Sequence, residues 1–243
     1  MILTLVHEVQ AILRLFREVQ LWLLTALVLI LLVLASQAPI NYTINVGYEE
    51  GYGSDLPFVA DFYPFEPEAR DAPLNWRWTS ERSVVRLPGA GQRPLFVELG
   101  VLSVNTEIQQ RGAKELEIWS KGVQIAVLPV NPTGAVYHLM LPAETGFRDD
   151  QGFEIRSATI NPTGDARSVG VPVDQINVFA SAGPNLPNWA NTLTWLGAAF
   201  VAWGAVRRTG FEARAAFLLL LVPAALLGIA ALLDPARAAL GAP

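Results

Sequence analysis

The stretch LWLLTALVLILLVLASQAPINYTINV, Leu21 to Val46, decides the architecture because its pattern changes halfway. From Val19 to Ala38 no side chain ionises, and leucine, valine and isoleucine fill the run so densely that a helix built from it has no polar face. A helix needs about 20 residues to cross a hydrocarbon core, and this one has that length. From Ile40 onward the rule becomes alternation. Ile40, Tyr42, Ile44 and Val46 are separated by Asn41, Thr43 and Asn45, the period of a half-buried strand.

Both signals recur further along the chain. Asn188 to Val206, NWANTLTWLGAAFVAWGAV, is again free of charge; it carries Trp189, Trp195 and Trp203 and stops at Arg207-Arg208, a pattern suited to a membrane span. Ala215 to Leu233 is a third such run, with Pro223 in its middle, where neighbouring helices can satisfy the freed carbonyl. Ala198 and Ala202 in one run, and Ala224 and Gly228 in the other, have the small-residue spacing that lets helix backbones approach, and mark the expected packing faces. Arg14 and Arg17 precede the first span, and Arg207, Arg208 and Arg214 fill the connection between the last two. Arginines beside short loops face the cytoplasm, so the middle of the chain is expected outside.

The expected plan is an amphipathic cytoplasmic-face helix over 1–18, spans at 19–38, 188–206 and 215–233, an extracytoplasmic β-sandwich at 39–187, a cytoplasmic loop at 207–214 and a short outer tail at 234–243. The rival reading takes the first span as a cleaved signal peptide ending at Ser36-Gln37-Ala38, and Pro39 directly after the cut disfavours it.

Composition agrees with this partition. Of 243 residues, 52% are hydrophobic and 16% charged, too apolar for an ordinary soluble domain. Positions 41–190 hold 11 basic and 18 acidic residues against 6 and 4 elsewhere, so the middle is acidic and nucleic acid is not an expected partner. The absence of cysteine excludes disulfides, thiolate metal sites and a cysteine nucleophile. His7 and His138 alone leave little for a histidine metal centre, and no cofactor is expected.

Between Pro39 and Pro187 alternation is punctuated by turn clusters such as Pro88-Gly89-Ala90-Gly91, Asn131-Pro132-Thr133-Gly134 and Asn161-Pro162-Thr163-Gly164. Strands are expected at 40–46, 75–79, 83–87, 95–102, 116–120, 123–128, 136–141, 153–160 and 175–180, enough for two packed antiparallel sheets. The segments WRWTSERSVVRLPG (Trp76 to Gly89), PLFVELGVLS (Pro94 to Ser103), ELEIWSKGVQIAVLPV (Glu115 to Val130), VYHLMLP (Val136 to Pro142) and FEIRSATINPTGDARSVGVPVDQINV (Phe153 to Val178) follow one another in an order that resembles the galactose-binding-like jelly roll. The resemblance is strongest to the version inserted after the first span of bacterial multi-pass membrane proteins, some of them glycosyltransferase-like. It rests on Arg77-Trp78-Thr79, Leu87-Pro88-Gly89, Ile118 to Gly122 and Gly164 to Asp174, with serine–lysine at Ser120-Lys121 where asparagine is usual. Such relatives carry many further spans whereas two follow the sandwich here, so no transferase activity is carried over.

The resemblance also implies loop aromatics that stack on sugars, and Tyr48, Tyr52, Phe58, Phe62, Tyr63 and Phe65 are the candidates for carbohydrate or partner contact. Packing or a protein interface is the reading favoured over a sugar platform, since aromatics supply large buried area and are enriched at protein contacts. Trp76 and Trp78 are expected on one strand face with Arg77 on the other. Asp149 and Asp150 form a weak calcium candidate, short of the six to eight oxygens calcium takes. Asp61, Glu66, Glu68 and Asp71 have no spacing that enforces an acid–nucleophile pair, and His138 reads as a strand's outer polar position. No nucleophile-elbow, phosphate-loop, dinucleotide or zinc-protease motif occurs. The function expected is non-enzymatic: an accessory or scaffold subunit of a larger assembly in the bacterial cytoplasmic membrane, partnered by other membrane proteins and the bilayer. The alternatives are a cell-surface carbohydrate-binding module, or the front part of a glycosyltransferase-like membrane protein.

Overall fold

The computed structural model describes residues 14–65, 75–104, 106–143, 151–180, 185–187 and 189–233. They divide into two compact units, one lying within 39–182 and one built from the segments on either side.

The first unit is a nine-stranded antiparallel assembly. Its strands are β1 (Ile40–Asn45), β2 (Val59–Phe62), β3 (Arg77–Leu87), β4 (Leu95–Val101), β5 (Glu115–Ser120), β6 (Val123–Pro129), β7 (Ala135–Leu141), β8 (Gln151–Ser157) and β9 (Pro172–Ala180). One sheet, called sheet I here, runs β7-β4-β9-β1. The other, sheet II, runs β6-β5-β8-β3-β2. β3 belongs to both, since Arg77 and Trp78 pair with β9 while Arg82 to Leu87 pair with β8. Each sheet buries one face. On sheet I the inward row includes Ile44, Leu95, Val97, Leu99, Leu139, Ile176 and Val178; on sheet II it includes Val85, Leu87, Leu116, Ile118, Phe153 and Ile155. Alternate residues of most strands therefore leave water, the period-two pattern that makes two sheets close over one core, while β2 and the edge strand β6 bury none of their residues fully.

Three elements differ from the expectation. Strand β2 was not foreseen because Pro57 and Pro64 bracket it in a loop-like segment. The short helix α2 (Thr106–Arg111) was not foreseen either, since six residues carry too little helical period; its Ile108 packs with Val104 and Val169 against Tyr63, Trp78 and Ile160 at one end of the sandwich. The strands expected at 75–79 and 83–87 are one, because the polar run Ser80 to Ser83 that looks like a turn is held in line: Ser83 Oγ accepts from Ser80 N at 3.0 Å and donates to Asp61 O at 3.0 Å.

The second unit contains α1 (Val19–Ser36), α3 (Trp189–Arg208) and α4 (Ala213–Leu233). Two of these, α1 and α4, are long and apolar enough to cross a membrane. α3 forms at nearly the expected bounds but is diluted by Asn, Thr and Trp, so three spans are not established by length and composition. Leu21, Leu24, Val28, Trp203, Ala216 and Ala224 form the apolar centre of the unit. Of the expected packing residues, Ala198, Ala202 and Ala224 line a small apolar cavity of about 150 Å³ beside Pro223. Gly228 meets α1, and a Cβ there would lie 3.1 Å from both methyls of Leu31. The chain segments at the sandwich end of this unit are clipped together, with Gln37 Nε2 donating to Asn185 O at 2.8 Å and Asn185 N donating to Gln37 Oε1 at 2.9 Å. The expected amphipathic helix lies outside the described residues over 1–13.

Candidate binding face of sheet I

With Leu95, Val97 and Leu99 turned inward, β4 turns Phe96, Glu98 and Gly100 outward, and the register places their neighbours. Three cross-strand rows result. Met140, Phe96, Phe179 and Asn41 form the first, His138, Glu98, Asn177 and Thr43 the second, and Val136, Gly100, Gln175 and Asn45 the third. The first row exposes Phe96 at 59% and Met140 at 65%, more apolar surface than a sheet facing only water needs.

The middle row is a connected polar array. Asn177 Nδ2 donates to Glu98 Oε2 at 3.0 Å, and Asn177 Oδ1 accepts from Thr43 Oγ1 at 2.7 Å and from Gln175 Nε2 at 3.0 Å. His138 Nδ1 lies 3.6 Å from Glu98 Oε1. In the third row the register slips: Gly100 faces Gln175 but Val101 faces Val173, so Asp174 is an extra residue on β9. Such a bulge re-aims a side chain, and here it lays the carboxylate over Gly100, with Oδ1 only 2.4 Å from where a Cβ would sit. Glycine alone leaves room for it. Asp174 Oδ1 is shielded and has no hydrogen-bond partner, an arrangement that calls for a donor. Glu98, Gly100, Thr133, Asp174, Gln175 and Asn177 line a groove of about 350 Å³ there, within the usual ~300–1,000 Å³ of small-molecule sites.

The outer face of sheet II is charged and internally paired. Arg82 and Arg156 both donate to Glu154, at 2.5 and 2.6 Å for their closest contacts, and Arg156 covers the Trp119 ring at 4.3 Å. The Arg82 hydrogen bonds, with those of Arg156, hold the Glu154 carboxyl below its ordinary pKa against the opposing effect of burial. A broad cleft of about 770 Å³ runs beside this ladder, but its arginines, Arg82 and Arg156, already face the Glu154 carboxylate.

The expected loop aromatics do not assemble into one platform. Tyr48 is exposed, but Phe58 is buried and tilts against Tyr42 with ring centroids 6.0 Å apart. Tyr63 joins the end cluster around α2 and donates its hydroxyl to Ser168 O at 3.0 Å. Phe62 and Phe65 are half-buried, and the side chain of Tyr52 lies outside the described residues, as do Glu66, Glu68, Asp71, Asp149 and Asp150. Asp61 is exposed at a positive φ of 60°. Among the described residues no three His, Asp or Glu come together as a metal set.

What organises the 46–65 loop is a buried ion pair at the start of β3, where Arg77 lies on the opposite face from Trp76 and Trp78 as expected. Arg77, not its flanking tryptophans, is the most enclosed, at 4% exposure, and Asp55 is at 0%. Asp55 Oδ2 accepts from Arg77 Nε at 2.7 Å and from Gly47 N at 2.6 Å; Oδ1 accepts from Arg77 Nη2 at 2.8 Å, which also reaches Glu49 at 2.8 Å. Burial pulls the guanidinium pKa down, but the hydrogen bonds and charges of Asp55 and Glu49 more than reverse it. The glycine at 47 is required twice over: its φ is +92°, and a Cβ would come within 2.7 Å of Trp76 N.

No protein-family profile matches the chain, and neither does any curated protein sequence. Among solved structures, similarity is found to the plant receptor-like kinase FER, at 10% identity and TM-score 0.38 over 61% of this chain and 54% of that one. A family 35 carbohydrate binding module from Clostridium thermocellum overlaps 59% of this chain and 99% of its own at 12% identity and TM-score 0.32. The tandem CBM51 modules of a Streptococcus pneumoniae family 98 glycoside hydrolase overlap 58% of this chain and 40% of theirs, at 10% identity and TM-score 0.30. The match thus spans about half the length of the plant receptor-like kinase chain. Likenesses this loose carry no argument about activity, which has to come from the residues themselves.

The sheet I face is what reasoning from sequence missed. Its alternation was legible, but Met140, Phe96 and Phe179 are 39 or more residues apart along the chain and only the register brings them together.

Proposed function

We propose that this chain is a membrane-anchored, non-catalytic β-sandwich that binds saccharide on the outer face of sheet I. The observation that carries the reading is the adjacency of the Met140–Phe96–Phe179 row to the polar row of His138, Glu98, Asn177 and Thr43, with the bulged Asp174 closing the far side. A pyranose has one kind of surface for each. Its C–H face suits the exposed phenyl ring of Phe96, and its hydroxyls, donors and acceptors alike, suit carboxylates and side-chain amides. Glu98 and Asp174 accept, Gln175 and Asn177 do both, and the array is held in place by its own hydrogen bonds, which lowers the ordering cost of binding. The expectation of an accessory or scaffold subunit has no specific observation behind it, so the carbohydrate alternative takes its place.

The membrane side of the proposal rests on α1 and α4. With α3 as a third crossing, the arginines of 14–17 and 207–214 fall on one side and the acidic sandwich on the other, which supports a cytoplasmic N-terminus and an extracytoplasmic sandwich in a bacterial cytoplasmic membrane.

A glycan array probed with the full chain in mild detergent, followed by calorimetric titration of the glycan retained, tests the saccharide reading. Phe96→Ala removes about 1.5 kcal/mol of stacking and should weaken binding about tenfold without altering the fold, because Phe96 packs on no core. No glycan retained, or Phe96→Ala binding as tightly as the parent, overturns it.

A further inference from the structure

The helical unit carries a groove of its own. At Glu18 the backbone is extended, with φ −80° and ψ 116°, so the chain turns sharply just before α1 begins. Glu18 itself is spent inside the unit. Its carboxylate accepts from Arg207 Nη2 at 2.7 Å and Nε at 3.0 Å, and from Trp203 Nε1 at 3.0 Å. Around this pair opens a groove of about 810 Å³. Its walls are apolar, Leu21, Phe200 and the 74%-exposed Val201, and Gly204 adds no side chain to them; its rim carries Arg14 and Arg208, both exposed. Of the charged groups lining the groove, Arg14, Arg207 and Arg208 are positive and Glu18 negative, and Glu212 adds one carboxylate that acts on Arg207, so the rim keeps a net positive charge. Three aromatic rings bound the same end: Phe16 lies 5.6 Å from Phe200 and 6.3 Å from Trp22, which lies 5.9 Å from Phe200.

We infer that this groove binds an anionic phospholipid, with acyl chain along Leu21, Phe200 and Val201 and phosphate between Arg14 and Arg208. An apolar trough ending in a net positive rim is the complement of that molecule and of few others. A zwitterionic lipid offers the same tail but no net charge, a soluble anion the charge but nothing to fill the trough. Aromatic rings at the rim belong at headgroup depth, where amphipathic tryptophan and its neighbours settle. The inference rests on the reading of α1 and α4 as membrane helices, and is independent of saccharide binding.

Native mass spectrometry of the full chain released from detergent decides it. Dioleoyl-phosphatidylglycerol, dioleoyl-phosphatidylcholine and inorganic phosphate are added separately and in competition. Each arginine beside an anionic headgroup is worth about fivefold, so the glycerol lipid should be retained about 25-fold better than the choline lipid. Arg14→Gln with Arg208→Gln should abolish that preference, and Arg14→Lys with Arg208→Lys should keep most of it. Equal retention of the two lipids, a preference that survives the glutamine pair, or displacement of the glycerol lipid by millimolar phosphate overturns the inference. Alkaline carbonate washing of membranes separates the two levels. A chain released by the wash refutes the membrane reading itself, and one that stays but is indifferent to lipid charge refutes this site alone.

Discussion

Replacing Asp55 by asparagine gives the sharpest test of how the sandwich is held together. The substitution keeps the shape but removes the fully buried one of the two carboxylates that face Arg77, leaving a guanidinium that is 4% exposed with an amide where it had a bidentate carboxylate and only the partly exposed Glu49 still paired to it. Breaking one partner of a buried pair costs about 3–5 kcal/mol. A domain of this size loses stability in urea at about 2 kcal/mol per molar, so the unfolding midpoint should fall by about 2 M. Pulse proteolysis of the full chain in mild detergent, across a urea series, reads that midpoint from cleavage within 39–182. The double variant Asp55→Leu with Arg77→Met should be less damaged than Asp55→Asn. It buries no unpaired charge, Glu49 is partly in water, and the main loss is the Gly47 amide that Asp55 capped, about 1–3 kcal/mol. A single variant within about 1 kcal/mol of the parent, or a double variant worse than the single, would show that the pair is not what fixes the loop.

Two further outcomes follow from the geometry. The Glu154 carboxyl is held below its ordinary value of 4.5, chiefly by Arg82, so its contribution is full above that pH and is lost as pH falls through the lower folded value; Glu154→Gln should lower the urea midpoint by less than about 1 kcal/mol equivalent near neutrality, with the gap closing below pH 4.5, and a gap that widens in acid would contradict the assignment. In the helical unit, Gly228→Leu puts carbon where only 3.1 Å separates a Cβ from the Leu31 methyls, so the thermal midpoint of the helical signal should drop by the equivalent of about 1–3 kcal/mol while the urea midpoint of the sandwich holds; an unchanged melt would mean α1 and α4 do not meet there.

Much of this fold can be read from residue patterns, since burial imposes them. The charge-free run at 19–38 and the alternation from Ile40 are direct consequences of which surfaces meet water, and eight of the nine strands coincide with an expected one. What escapes is whatever depends on partners distant in the chain. Arg77 sits between two tryptophans and looks like the outward residue; only the loop bringing Asp55 and Glu49 to it makes burial tolerable. The 48–65 aromatics look like a surface because they cluster in sequence, but Phe58 is spent on the core. Conversely, Phe96 looks unremarkable within PLFVELG until Phe179 and Met140 arrive from two other strands. The bulge at Asp174 leaves no trace in composition, since its cause is one mismatched residue between two ladders.

The first and last strands of the sandwich are neighbours, Ile40 lying opposite Ala180. A force that draws the two connections apart would therefore not slide β1 along β9 but open them like a zipper, one rung at a time, beginning at that pair. An antiparallel pair loaded in this way yields at low force. The Gln37–Asn185 clip joins the same two threads, so a force separating them would be met first by a few side-chain hydrogen bonds and only afterwards by sheet I.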